Sequence, residues 1–521
     1  MSQPFTITTA ISYPNGRPHI GHAYEAIATD AIARFHRMMG RDVFFQTGTD
    51  EHGLKMDQAA RNRGVTPQAL ADEMASYFKD MDDALGISYD RFIRTSEPAH
   101  HAASQAIWRA MEANGDLYLG RYEGWYSVRD EAFYDEKELI EGEGTTKLSP
   151  QGTPVEWTVE ESWFFKLSRY QQPLLDLYES HPDFIRPESR RNEIMRFVEG
   201  GLSDLSVSRT SFDWGVKVPG SDGHVMYVWV DALTNYLTGC GYPNDAERMG
   251  HYWAEGGDIV HVIGKDIVRF HAVYWPAFLM SAKLPLPSQV FGHGFLLNRG
   301  EKMSKSVGNV ADPLELAKRF GVDQLRYFLL AEVSFGNDGS YSAEAIVQRA
   351  NSDLANSFGN LAQRTLSFIA KNLDGELPSG GTVSDADGDL RDLIDAAAKD
   401  FTGAMANLSP SLAIEAWMRA VFACNQYIDA QAPWALRKSD PERMTAVLAT
   451  LYEAIGNLAI MISPVVPKSA AALLDQMGVP ANSRRYADIG STWYSALLKS
   501  GFILSPPNPL FPRLELAVAD A

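Results

Sequence analysis

The chain opens with a change of hydrophobic period that few folds accommodate. "FTITTAIS" (residues 5–12) alternates and is rich in Thr and Ile, the pattern of a strand. The turn "YPNGRP" follows, its Pro and Gly fixing the backbone. From about His22 to Met39 the apolar spacing becomes helical, and Gly40 stops it. "DVFFQTGTD" is then a buried strand ending in a Gly-Thr-Asp loop. Strand, helix and strand in this order predict a βαβ unit, parallel and right-handed. "DIVHVIGKD" and "SQVFGHGFLL" are further strands, with a helix around "VRFHAVYWPAFLMSAK" between them. The expectation is one doubly wound, Rossmann-like α/β domain in two halves, residues 1–115 and 226–291.

Residues 116–225 break this pattern with short β-like pieces and many turns, and read as an inserted connective domain. Residues 292–342 carry a Gly/Ser/Asn-rich loop region. From about residue 343 to 521 the texture is helical: "VLATLYEAIGNLAIMIS" puts Val447, Leu448, Leu451, Ile455, Leu458 and Ile462 on one stripe, ending before Pro464. An all-helical C-terminal domain is expected there. "SGGTVSDADGD" reads as a mobile loop. A chain of 521 residues has room for several such domains. Its apolar share of 45% suits real cores, and no run approaches the ~20 uncharged apolar residues of a membrane span. The N-terminus lacks a basic run before its apolar stretch and reads as a strand, not a targeting peptide. Cys240 and Cys424 stand far apart, which suggests neither a disulfide framework nor a metal site, and a reducing cytoplasm. A net charge of −19 argues against indiscriminate nucleic-acid binding but leaves room for a local basic track.

Three constellations carry chemistry. His19 and His22 flank Gly21 where the first strand feeds the first helix. Open α/β sheets bind ligands at that end, and helix N-termini attract phosphate. Gly21 has no Cβ, so a ribose or base can approach the backbone. The spacing alone leaves two readings, a helix cap or a pair of donors to phosphate. Next, "NRGEKMSKSVGNV" places Lys302 and Lys305 in a loop before the Pro-started helix at Asp312-Pro313. Two ammonium groups on such a loop suit a departing pyrophosphate, or a plain solvated surface. Last, Asn360 and Arg364 in "FGNLAQR" share a helical face, and Trp434 follows Pro433 at the start of another helix. An aromatic beside an amide and a guanidinium can read splayed bases, or form an ordinary polar face.

"HIGH" (residues 19–22) and "KMSKS" (302–306), in this order, resemble the two signatures of class I aminoacyl-tRNA synthetases. "YPNGRPHIGH", "TGTDEHG", "YEGWYSVRDEAFY", "YVWVDALTNY", "VIGKDIVRFHAVYWPA", "GEKMSKSVGN", "FGNLAQR" and "QAPWALRK" extend the likeness to the methionyl-tRNA synthetases over nearly the full length. The resemblance implies activation of methionine with ATP and Mg2+, then transfer to the 3′-terminal adenosine of tRNA(Met), with class I favouring the 2′-hydroxyl. It implies a methionine pocket from Ala10, Ile11, Tyr13, Trp229, Ala232, Leu233, Tyr236, Ile267, His271 and Trp275, with Asp50 on the α-amino group. It places Gly21, His22, Gly264, Asp266 and Lys305 at ATP, makes His19, His22, Lys302, Lys305 and Arg209 catalytic, and has Asn360, Arg364 and Trp434 read the anticodon. Aromatic walls suit a polarizable thioether, and the Tyr236 hydroxyl is expected to donate weakly to its sulfur. Two rival readings are a small nucleotidyltransferase of the same ancestry and a non-catalytic RNA-binding relative; the long insert and the intact signatures oppose them.

One departure stands out. Many relatives carry a zinc knuckle with paired cysteines in the insert, where this chain has Ser127 and Asp130 and no cysteine at all. No structural zinc is expected, and packing of Tyr122, Trp125, Tyr126, Phe133 and Tyr134 should hold the knuckle instead. The insert is too short for a large editing domain. No appended tRNA-binding domain follows the helices, so a monomer is expected.

Overall fold

The computed structural model describes residues 3–129, 132–142, 144–298, 311–490 and 492–516. Six strands form its central sheet: β1 (Pro4–Thr9), β2 (Asp42–Thr49), β3 (Arg91–Arg94), β4 (Ile185–Arg186), β5 (Ile259–Gly264) and β6 (Gln289–His293). Their spatial order is β3-β2-β1-β5-β6-β4, and every pairing is parallel. Chain order reverses beside β1, so a crevice opens between β1 and β5 at their carboxyl ends. Four helices matter for the site: α1 (Ile20–Met38), α2 (Pro67–Leu85), α3 (Pro98–Ala113) and α4 (Val228–Gly239). α1 is buried on almost every side, which explains its small, apolar sequence "AYEAIATDAIA".

The inserted region is built on the antiparallel pair Leu117–Ser127 and Glu156–Phe165, in register from Leu117 opposite Phe165 to Tyr126 opposite Glu156. One piece of the 116–225 range leaves it: β4 pairs with β6 and forms the outer strand of the catalytic sheet. Two residues carry no readable period, so only tertiary pairing reveals this strand.

The C-terminal half is helical. Pro410, Pro433, Pro441 and Pro467 each open a helix at its first turn, where a missing N–H costs nothing. Asp385–Ala406 is also helical, so the loop expected at "SGGTVSDADGD" ends at Ser384. Ser384 and Asp387 form a capping box, and Asp387 is gripped by Arg443 Nη2 (2.6 Å), so capping and burial override Gly388. The helix Pro441–Ile462 is long and apolar enough by length and composition to cross a membrane, although Glu442, Arg443 and Glu453 interrupt its apolar run. Here 89% of that stretch is buried among its neighbours, as a core helix. A continuous apolar core joins the bundle to α1, with Ile27 and Phe35 in the same cluster as Leu325, Phe328 and Leu458. Within it Arg326 Nη2 donates to Asp30 of α1 (2.7 Å) and to the Pro464 carbonyl (3.0 Å), with both charged side chains fully buried. Such a pair adds little net stability but tolerates only one alignment of the parts it joins.

Candidate active site

His19 and His22 cap α1 reciprocally. The Gly21 N–H donates to His19 Nδ1 (3.0 Å), and the His19 N–H donates to His22 Nδ1 (3.1 Å). Each ring therefore accepts at Nδ1, which leaves Nε2 as the protonated nitrogen of a neutral imidazole. A Cβ on Gly21 would stand 2.8 Å from the His19 ring, so a larger residue there would displace that ring from its cap. The Ile20 N–H donates to the Ala311 carbonyl (3.1 Å). Lys302 and Lys305 lie outside the described residues.

A cavity of about 450 Å3 opens beside the turn at the β1/β5 crevice. Ala10, Ile11, Tyr13, His22, Asp50, Trp229, Ala232, Leu233, Tyr236, Gly264, Asp266, Ile267 and His271 all line it. Trp229 stacks on Phe270 with ring centroids 3.8 Å apart. Trp275 is fully buried behind this wall, donating its indole N–H to His261 Nε2 (3.3 Å). Burial pushes His271 down to about 4, so the ring is neutral near pH 7. Its Nδ1 donates to the Ile267 carbonyl (3.0 Å), and its Nε2 accepts from the Tyr236 hydroxyl (2.7 Å). This corrects one expectation: the Tyr236 proton is committed to His271 and is not available to a substrate sulfur.

Several residues of the cavity carried no sequence signal. Lys55 lines it, its Nζ 5.1 Å from the centre of the Tyr13 ring. Arg129 and Gln151 reach it from the inserted domain. Glu25 lines it too, accepting from the Ala10 N–H (2.9 Å) and pairing with His293 Nε2 (2.8 Å), so it fixes the end of β1. Burial opposes charge on His293, but the bond and charge of Glu25 outweigh it and raise the histidine above its ordinary value. Glycine-rich "FGHGF" could have flagged His293; nothing local flags Glu25.

Arg209 is placed elsewhere. It is buried at the base of the insert, donating to Ser206 Oγ (2.9 Å) and the Ser208 carbonyl (2.6 Å), with its guanidinium over the Tyr227 ring. It is not among the residues lining the cavity. In the knuckle Asp130 lies outside the described residues, and Ser127, Ser149 and Thr153 form a buried hydroxyl cluster. Thr153 Oγ1 lies 2.6 Å from Ser127 Oγ and 2.8 Å from Ser149 Oγ. Trp125 packs with Tyr134 and Val155 beside it. Far along the chain, Arg364 donates to Asp429 (2.8 Å) and lies over the Trp434 ring at 5.2 Å. Trp434 is 47% exposed, and Asn360, one helical turn before Arg364, is exposed as well. The fold thus brings these three into one surface.

Comparison with known proteins agrees with this geometry. The family described as "tRNA synthetases class I (M)" matches residues 5–366, and "Anticodon binding domain of methionyl tRNA ligase" matches residues 377–518. A methionine–tRNA ligase of Brucella suis is 58% identical over 511 residues, covering 98% of both chains. One of Mycobacterium tuberculosis is 54% identical over 518 residues, again 98% of both. The solved structure of M. tuberculosis methionyl-tRNA synthetase in complex with methionyl-adenylate superposes with a TM-score of 0.94, covering 98% of this chain and all of that one. By fold, cavity and likeness over nearly its whole length, the chain belongs to the class I tRNA synthetases of the methionyl type.

Proposed function

We propose an assignment of residues to the reaction of a methionine–tRNA ligase. The enzyme activates methionine with ATP to methionyl-adenylate and pyrophosphate, then transfers methionine to the 3′-terminal adenosine of its tRNA. The thioether lies against Trp229, Ala232, Leu233 and Tyr236, and the Asp50 carboxylate takes the α-ammonium. Asp266, after β5, accepts from the ribose. The methionine carboxylate attacks the α-phosphorus in line and pyrophosphate leaves. His19 and His22 donate from Nε2 to the phosphate oxygens as charge develops there, and Lys302 and Lys305 assist. Most of the rate then comes from positioning and preorganised donors. Magnesium neutralises phosphate charge in such reactions. Mg2+ is usually held by substrate phosphates and water with few protein ligands.

Asn360, Arg364 and Trp434 form the surface that reads the anticodon, by stacking and hydrogen bonding to unpaired bases. One chain supplies cavity and anticodon surface alike, so a monomer suffices. The two free, buried cysteines suit a reducing cytoplasm.

The single observation that carries this reading is the cavity at the β1/β5 crevice, whose lining combines Asp50 with Tyr13, Trp229, Tyr236 and Phe270. An ATP–pyrophosphate exchange panel over the amino acids tests it. Exchange should be driven by methionine far above leucine, isoleucine or valine. Equal stimulation by a branched aliphatic amino acid would overturn the pocket assignment.

A further inference from the structure

Asp50, Glu51 and His52 are consecutive, yet the fold sends them in three directions. Asp50 lines the cavity. Glu51 is buried toward β3, where Arg94 donates to its carboxylate through Nε (2.7 Å) and Nη2 (3.0 Å). His52 turns toward α4: its Nδ1 lies 2.7 Å from Asp231 Oδ2. The other oxygen, Asp231 Oδ1, lies 2.6 Å from His100 Nε2 on α3. His100 Nδ1 is 3.0 Å from Thr238 Oγ1, whose hydroxyl donates to the Thr234 carbonyl (3.1 Å). His52 is 2% exposed, and Asp231 and His100 are 0% exposed. Burial alone would raise the Asp231 carboxyl; the charge and bonds of His52 and His100 outweigh it and hold Asp231 well below the usual carboxylate range.

Helix geometry shows what this network grips. At 100° per residue, Asp231, Thr234 and Thr238 share one face of α4, while Trp229, Leu233 and Tyr236 fall on roughly the opposite one. The same helix therefore faces the cavity on one side and is pinned to the Asp50 loop and α3 on the other. Nothing in the chemistry needs a buried ionic network at this place, and apolar packing would join the three elements with less desolvation cost. A network of directional bonds instead sets their separation tightly.

We propose that His52, Asp231 and His100 are positioning residues for the amino acid. They set the distance between the Asp50 carboxylate, which takes the α-ammonium, and the α4 wall, which takes the thioether. This rests on the assignment of Asp50 and α4 given above. A ligand anchored at both points must feel the spacing; a ligand anchored at one need not.

Full-length variants test it in ATP–pyrophosphate exchange. Asp231→Asn keeps the shape and removes the charge; the KM for methionine should rise about tenfold, with the KM for ATP unchanged. His52→Leu should do the same. His52→Asn, whose amide nitrogen stands near the place of Nδ1, should recover most of the loss. As a competitive inhibitor, 4-(methylthio)butanoate lacks the α-ammonium and should bind parent and Asp231→Asn alike. A methionine KM unchanged in both Asp231→Asn and His52→Leu overturns the proposal. So does a parallel rise of both KM values that tracks falling thermal stability, or weakened binding of the one-point inhibitor, because the network would then be ordinary structural support. Asp50→Asn separates the two ideas. A parent-like methionine KM in that variant removes the Asp50 assignment itself; a large rise there with none in Asp231→Asn removes only the network's role.

Discussion

His19 and His22 each use Nδ1 to accept from a backbone N–H, and that places the proton on Nε2. The cap thus chooses the tautomer that the proposed donation to phosphate requires. Tyr236 shows the same logic with the opposite result. Its hydroxyl proton goes to a neutral His271, although the residue lines the cavity. Tyr236→Phe should therefore leave the methionine KM within about twofold while costing roughly 1–3 kcal/mol of stability, because His271 Nε2 is left buried without a donor. Exchange kinetics and a denaturant titration on the same sample check both halves; a large KM change with unaltered stability would restore the hydroxyl to substrate recognition. For Lys305→Ala, adenylate formation should slow roughly 10²-fold with methionine affinity little changed, since an ammonium matters most where charge is developing. Single-turnover quench-flow reads this directly, and a parent-like rate would remove the lysine from the chemistry.

At the scale of elements, the described part of the knuckle is held by hydroxyl bonding and aromatic packing. Ser127, Ser149 and Thr153 share hydrogen bonds in a buried node, and Trp125 packs beside them against Tyr134 and Val155. Of the expected aromatic packing, Trp125 with Tyr134 is present, and the Tyr122 and Phe133 side chains lie outside the described residues; the hydroxyl node was not legible, because Ser127 stands more than twenty residues before Ser149 and Thr153 and each is an unremarkable residue. Elemental analysis of the purified protein should find no stoichiometric zinc, given that a tetrahedral site wants thiolates or imidazoles. One tightly bound zinc per chain would mean that other ligands assemble there. Thr153→Val removes the shared hydroxyl and should raise amide exchange within the two turns while leaving the global melting transition in place. Loss of the whole transition would show that the node supports more than the knuckle.

Across the whole molecule, one apolar core joins the α/β domain to the helical bundle, with Arg326 and Asp30 at the join. Trp434 and Asn360 are exposed on the helical domain, so neither supports that core. Trp434→Ala and Asn360→Ala should leave tRNA-independent exchange and thermal stability near parental values. Aminoacylation should fall, because lost stacking costs ~1–3 kcal/mol per base. The variants should also discriminate less between tRNA with a CAU anticodon and tRNA with an altered one. If both half-reactions fell together, the reading surface would have to lie elsewhere on the bundle.

The sequence by itself determined what local chemistry controls. The period change from "FTITTAIS" to "AYEAIATDAIA" specified β1 and α1, because backbone geometry and apolar spacing are short-range properties. The family pattern of "HIGH", "TGTDEHG" and "YVWVDALTNY" pointed to Asp50 and the α4 wall. Tertiary structure decided the rest. The two residues of β4 join the sheet only because β6 offers an edge. Gly388 lies in a helix because Arg443 and a capping box outweigh its propensity. The directions of Glu51 and His52, the proton on Tyr236 and the partner of Glu25 depend on atoms dozens to hundreds of residues away in the chain. A hydrogen bond is a property of two groups meeting in space, and a single position in a sequence holds only one of them.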